Sequence, residues 1–104
     1  MNVNGKNLPE DKQNMLLFMM LVKQHEEIAQ MNLGETPNPV HNRPEVDLKA
    51  ARFAIDTLRM LREYTAGNLG NELSEYLDAS YKKLKSTYDQ KEAAEKKQDD
   101  EGGE

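Results

Sequence analysis

The segment DLKAARFAIDTLRMLREYTAGNLGN, Asp47 to Asn71, decides the fold. Its apolar residues return every three or four positions. Leu48, Ala51, Ala54, Ile55, Leu58 and Leu61 share one side of a helical projection. Asp47 suits the N-cap, where its carboxylate accepts from a free amide of the first turn. Gly67 suits the left-handed residue that follows a helix. Helix two is therefore predicted over about 48–66. The Gly67-Asn68-Leu69-Gly70 link is so short that the next helix must return antiparallel beside it. That third helix, about 71–88, has one apolar stripe: Leu69, Leu73, Tyr76, Leu77, Ser80, Leu84 and Tyr88. Glu72, Glu75, Asp78, Lys82, Lys83 and Lys85 fill its other side.

Upstream, helix one is predicted over about 9–33. Pro9 fits a first turn, Glu10 and Asp11 complement the positive helix start, and Gly34 ends the run. Between helices one and two, Glu35 to Val46 carries Pro37, Pro39 and Pro44. Proline lacks a donor and biases its predecessor away from helix, so this segment reads as a stiff, extended connection able to lie across other helices.

Helices one and two are apolar on two sides. In helix one, Met15, Phe18, Met19, Val22, Ala29 and Leu33 form one stripe, and Leu17, Met20, Leu21, Ile28 and Met31 form another. In helix two, Phe53, Met60 and Tyr64 lie roughly opposite the main stripe. Three helices share one centre, so a monomer leaves these second stripes wet, an uncommon state for so large an apolar patch. The expectation is an all-α, small three-helix protein with a long helix one, a proline-containing loop and an antiparallel helix two–three hairpin, paired as a homodimer. The candidate interface is Leu17, Met20, Leu21, Ile28, Met31, Phe53, Met60 and Tyr64. Two alternatives stand beside it: the loop, with Val40 and Val46, covers one stripe, or a different obligate protein partner does.

The 104 residues suit one domain. Residues 1–8 read as a disordered N-terminus, 9–88 as a single helical domain and 89–104 as an acidic disordered tail, within which Gln90 to Gln98, good helix formers with no face to bury, can continue as a frayed helix. That tail holds seven acids against three lysines, so it contributes −4 of the net charge of −5. No basic footprint marks a phosphate-backbone binder, so nucleic acid is not an expected partner. The chain lacks cysteine, which removes disulfides and thiolate sites and favours a reducing compartment. Met1 to Lys12 has no signal-peptide pattern. The longest apolar run, Met15 to Val22, is too short for a bilayer. These features point to the cytoplasm, away from membranes.

No catalytic constellation stands out. His25 has Leu21 and Ala29 where a helical metal motif needs a second ligand. Arg52, Asp56, Arg59 and Glu63 have the spacing of helical ion pairs. No glycine-rich phosphate loop and no nucleophile–base pattern is present. The reading is of a non-enzyme with no catalytic residues, no cofactor and no metal.

The series Met31-Asn32-Leu33-Gly34-Glu35-Thr36-Pro37-Asn38-Pro39, Asp47-Leu48 with Ala51, Ile55-Asp56-Thr57-Leu58 with Met60-Leu61, and Thr65-Ala66-Gly67-Asn68-Leu69 resembles the bacterial domain of unknown function 1844 family. The Phe18-to-Val22 segment, Leu84 and Tyr88 also fit it, so the resemblance runs from about Met15 to Tyr88. It implies a small helical bacterial protein and brings no activity, cofactor or site. The chain departs from the family pattern at Tyr64, where lysine is expected. It departs again at Gly70-Asn71, where Thr-Pro commonly opens the last helix, and at His41-Asn42-Arg43, where glycine is usual. The function expected is that of a homodimeric helical interaction module. Its loop and turn, through Pro37, Asn38, Pro39, Thr65, Gly67 and Asn68, offer surface to a further, unidentified protein partner. The alternative is an accessory factor of a ribosome or other nucleoprotein complex, docked through Lys82, Lys83, Lys85 and the tail.

Overall fold

Asp47 Oδ1 accepts from the Ala50 amide at 3.1 Å and starts the helix that organises the chain. In the computed structural model, which describes residues 8–102, three helices follow in order: α1 (Glu10–Asn32), α2 (Leu48–Tyr64) and α3 (Asn71–Gly102). The protein is all-α, as the periodicity predicts. Residues 1–7, where most of the expected disordered N-terminus falls, lie outside the described residues, as do 103–104 at the tail end.

Two boundaries differ from expectation. α2 stops at Tyr64 rather than Ala66. The Thr65 hydroxyl and amide both donate to Leu61 O, at 2.7 and 3.1 Å, and the Asn68 amide turns back to Thr65 O. This local bonding competes with further helix, and Gly67 takes a φ of 86° beyond it. α3 does not end near Tyr88; it continues through residues expected to be a disordered tail. Its 32 residues make it, and not helix one, the longest element, about 48 Å end to end. No apolar stripe holds Gln90 to Gln98. Alanine, lysine, glutamate and glutamine are strong helix formers, however, and extending an existing helix needs no new nucleus. The overhang helps raise the radius of gyration to 17.3 Å, against about 13 Å for a compact chain of this size.

The core follows the main stripes. Val22, Ala29 and Leu33 of α1 and its end, Ala51, Ala54, Ile55 and Leu58 of α2, and Leu77, Leu84 and Tyr88 of α3 form one buried cluster. Leu33 pairs with Val46 in an isolated bridge, and the Asp47 amide donates to Asn32 O at 2.8 Å. This junction sets the end of α1 beside the start of α2. At the other extreme, Asn68, Leu69, Gly70 and Leu73 adjoin Asp11, Asn14, Met15 and Phe18. α1 and α2 are therefore antiparallel, and α3 runs parallel to α1.

The connection from α1 to α2 folds on itself instead of lying across other helices. The Asn38 amide donates to Arg43 O at 2.9 Å, and the Val40 amide donates to Asn38 Oδ1 at 2.8 Å. Glu45 gathers His41, Arg43 and the Asn38 amide nitrogen. The hydrogen bond from His41 holds the Glu45 carboxyl below its ordinary range. Short-range bonds from Asn38 and Glu45 thus satisfy a segment that proline denies a helix.

Gly34 opens this loop with φ 81°, and a Cβ there would stand 3.0 Å from Val46 Cγ2. Gly34→Ala therefore combines left-handed strain with a contact, for a loss of about 2 kcal/mol. Gly67 has φ 86° and open space around it, so Gly67→Ala loses only the conformational part, about 1 kcal/mol. Urea unfolding of the two variants checks the difference. Equal losses would remove the Val46 contact from the account.

Candidate protein-interaction face

α3 packs on one flank of the α1–α2 hairpin, and polar side chains mark that flank. Tyr76 and Ser80 both donate to the Glu26 carboxylate, and Lys23 Nζ lies 3.3 Å from the Tyr76 hydroxyl. Burial, then the bond to Glu26, raises the Tyr76 pKa, so its hydroxyl keeps the proton it donates at neutral pH. On α2, Arg62 pairs with Asp78 at 2.9 Å and stacks 4.7 Å from the Tyr81 ring centre. Arg52 reaches Tyr88.

Successive residues turn by about 100°, so the flanks away from α3 can be read from these anchors. On α1 that flank carries Leu17, Leu21 and Ile28. On α2 it carries Phe53, Met60 and Tyr64. Leu17, Phe53 and Tyr64 are well exposed, at 63%, 76% and 80%, while Ile28, Met60 and Leu21 are exposed only in part, at 36%, 37% and 38%. The two flanks adjoin along the α1–α2 seam and form a single face opposite α3.

The antiparallel run also puts them in register. Counting back from Leu33 on α1 and forward from Leu48 on α2, Ile28 and Phe53 each stand five residues from the junction. Leu21 and Met60 stand twelve away, and Leu17 and Tyr64 sixteen. The result is a ladder of three apolar rungs. Gln24 and Thr57, nine residues in, interrupt it with one polar rung. Thr57 Oγ1 donates to Phe53 O at 2.8 Å, so that hydroxyl is satisfied within its own helix.

The remaining expected interface residues are placed differently. Met20, 59% exposed, lies toward the outer edge of α1, and Met31 is half-buried. Leu16, which the periodicity did not single out, is exposed on the flank shared with Lys23. The loop does not cover the ladder. Val40 is 80% exposed at the tip of the self-closed turn, and Val46, 49% exposed, is held at the junction by its backbone bridge to Leu33.

The two segments expected to serve a further partner are not neighbours. Pro37, Asn38 and Pro39 sit at the loop end, while Thr65, Gly67 and Asn68 sit at the turn end. The length of α2, about 25 Å, separates them.

Other sites offer less chemistry. A cleft of about 190 Å³ between α2 and α3 is lined by Arg52, Ile55, Asp56, Lys85, Tyr88, Asp89 and Glu92. Its cations and carboxylates largely compensate one another. Arg52 and Arg59 lie 3.6 and 3.8 Å from Asp56, and Arg59 lies 3.3 Å from Glu63. Of the basic cluster on α3, Lys82 pairs with Asp78 at 3.0 Å and Lys85 with Asp89 at 2.7 Å. The bond from Lys82 holds the Asp78 carboxyl below its ordinary range. Charges so paired make a weak phosphate-binding stripe. His25 Nδ1 lies against Leu21 O at 3.0 Å. Among the described residues, no helix is long and apolar enough to cross a membrane.

A family model described as Domain of unknown function (DUF1844) matches residues 7–90. Neither a curated protein nor a solved structure matches the chain.

Proposed function

We propose that this chain, which belongs to the DUF1844 family, is a non-enzymatic helical interaction module of the bacterial cytoplasm that works as a homodimer. The observation that carries the reading is the six-residue apolar face of α1 and α2, set opposite α3 and left open by the loop. A face this continuous on one chain is a protein-binding surface. Together with Met20 it exposes roughly 700 Å² of apolar surface, close to the ~800 Å² each partner contributes to a standard stable interface. Both signs of charge border it, with Glu27 beside α1 and Lys49, Asp56 and Glu63 beside α2. No single-sign field opposes a second copy. The loop and turn stay free at the two ends for another protein.

Sedimentation equilibrium tests this directly. The expected mass is twice the 11.9 kDa of one chain, persisting to low micromolar concentration. A monomer across the whole range would overturn the homodimer.

A further inference from the structure

We propose that His25 makes the pairing of the two chains sensitive to protons, so that the homodimer holds at neutral pH and separates in mild acid. This rests on the homodimer reading and adds its regulation.

His25 stands within the apolar face. It follows Leu21 by four residues and precedes Ile28 by three, so it shares their side of α1. It also follows the buried Val22 by three, which turns it inward from Leu21 toward the seam with α2. The side chain is half-buried there.

The ring has one nitrogen already committed. His25 Nδ1 lies 3.0 Å from Leu21 O. A carbonyl oxygen only accepts, so Nδ1 carries the hydrogen and the lone pair is left on Nε2, at the far edge of the ring. Nε2 is the atom that gains the second proton, and imidazole does so between about pH 5 and 8.

No carboxylate of the described chain is aimed at that proton. On α1, Glu26 is adjacent in sequence but accepts from Tyr76 and Ser80 on the α3 flank. Lys23 points to the same flank, toward Tyr76, and Glu27 lies on the outer side of α1. On α2, the residues that face α1 near this level are Ala54, Thr57 and Leu61, none of them charged. Asp56 stands level with His25 but on the outer side of α2, held by Arg52 and Arg59 at 3.6 and 3.8 Å. Glu63 is there too, held by Arg59 at 3.3 Å. α3 packs on the opposite flank. In the loop, Glu45 is engaged by His41 and Arg43 beyond the junction.

A second copy adds nothing at the centre of the face to compensate a cation, because its rungs are the same uncharged ones. Its carboxylates border the face at the rim. In the single chain the partly exposed ring can be protonated against water. In the dimer the second copy replaces that water, and a charge left there without an anion is costly. The separated chain therefore takes up the proton more readily than the dimer does. By linkage each proton bound favours separation: affinity is full above the imidazole range and is lost as the pH falls through it. Two copies bring two rings. At one unit below the ordinary imidazole value of about 6.5, two rings that must both be neutral raise the dissociation constant roughly 100-fold.

Sedimentation equilibrium at about pH 7.5 and about pH 5.5 reads this directly, since carboxylates at their ordinary values stay ionised at both. The natural chain should be a dimer at the higher pH and dissociate at the lower with its helical circular dichroism unchanged. His25→Gln keeps a neutral polar side chain and should dimerise equally at both. His41→Gln, which removes the other histidine, should behave as the natural chain does. A natural chain that dimerises with the same affinity at both pH values overturns the switch and leaves the homodimer standing. Tighter pairing in acid also overturns it, by showing that a rim carboxylate of the second copy reaches the ring. Acid dissociation that persists in His25→Gln, or loss of the helical signal at the lower pH, removes His25 as the cause. A natural chain that is already a monomer at the higher pH overturns both readings.

Discussion

Replacing Leu17 and Phe53 together by glutamate yields a helical monomer. Both side chains already face solvent in the single chain, at 63% and 76% exposure, so the folded protomer loses little. The dimer loses much more. Each substitution occurs twice across a twofold interface, and a carboxylate buried there without a cation costs several kcal/mol. A total of at least about 4 kcal/mol corresponds to a dissociation constant raised ~1,000-fold or more. Sedimentation should report a single chain, while far-ultraviolet circular dichroism keeps its helical signal. The melting temperature separates assembly from folding. It should rise with concentration in the natural protein, because association stabilises the folded state by mass action, and lose that dependence in the variant. A double variant that still sediments as a dimer would remove the ladder from the interface.

Leu58→Ala has the opposite signature. Leu58 is fully buried in the core cluster with Val22 and Ile55. Removing its side chain deletes apolar contact and leaves a cavity, and such changes cost about 2–5 kcal/mol. A domain of this size has only about 5–15 kcal/mol in total. At 4–8 °C per kcal/mol, a 3 kcal/mol loss lowers the melting temperature by about 12–24 °C. Met60 occupies the same helix two residues later but on the ladder face. At 37% exposure, its removal from an isolated protomer should cost about 1 kcal/mol, well below that of the fully buried leucine. Thermal melts of the two variants, each in the monomeric Leu17→Glu/Phe53→Glu background, check the contrast. Equal shifts would mean that the buried and exposed stripes had been assigned to the wrong sides of α2.

That assignment is the part of the architecture most legible in the sequence. In α2 and α3 one dominant stripe repeats at helical spacing, and its residues from Ala51 to Leu58 and from Leu73 to Tyr88 are those found buried, except Tyr76, which is half-buried. The second stripes were legible as a surplus, since more apolar residues are present than three helices can cover. What periodicity cannot supply is relative placement. The ladder appears only once the Leu33–Val46 junction fixes where α1 and α2 meet. The same junction separates the loop from the turn, which local motifs alone made look like one surface. The Glu26 node with Tyr76 and Ser80 was missed, although Ser80 had left a signal. A serine in the middle of the α3 stripe, buried with its leucines, requires a polar partner from another helix. The end of α3 was placed at Tyr88, with only a frayed continuation left open beyond it, for a different reason. Stripes predict burial, and beyond Tyr88 helix persists on propensity without burial.

The overhang also gives the protein two clocks. Backbone amides between Leu73 and Tyr88 are held by a helix clamped in the core, so their hydrogens trade with solvent only when that packing lets go. Those between Gln90 and Gln98 belong to the same continuous helix but depend on fraying alone, a local opening with far smaller free energy. One helix thus spans the slowest and among the fastest exchanging hydrogens of the described chain. The border between them falls past Tyr88, the last buried ring, with Glu92 half-buried at the end of the cleft and exposed turns beyond it.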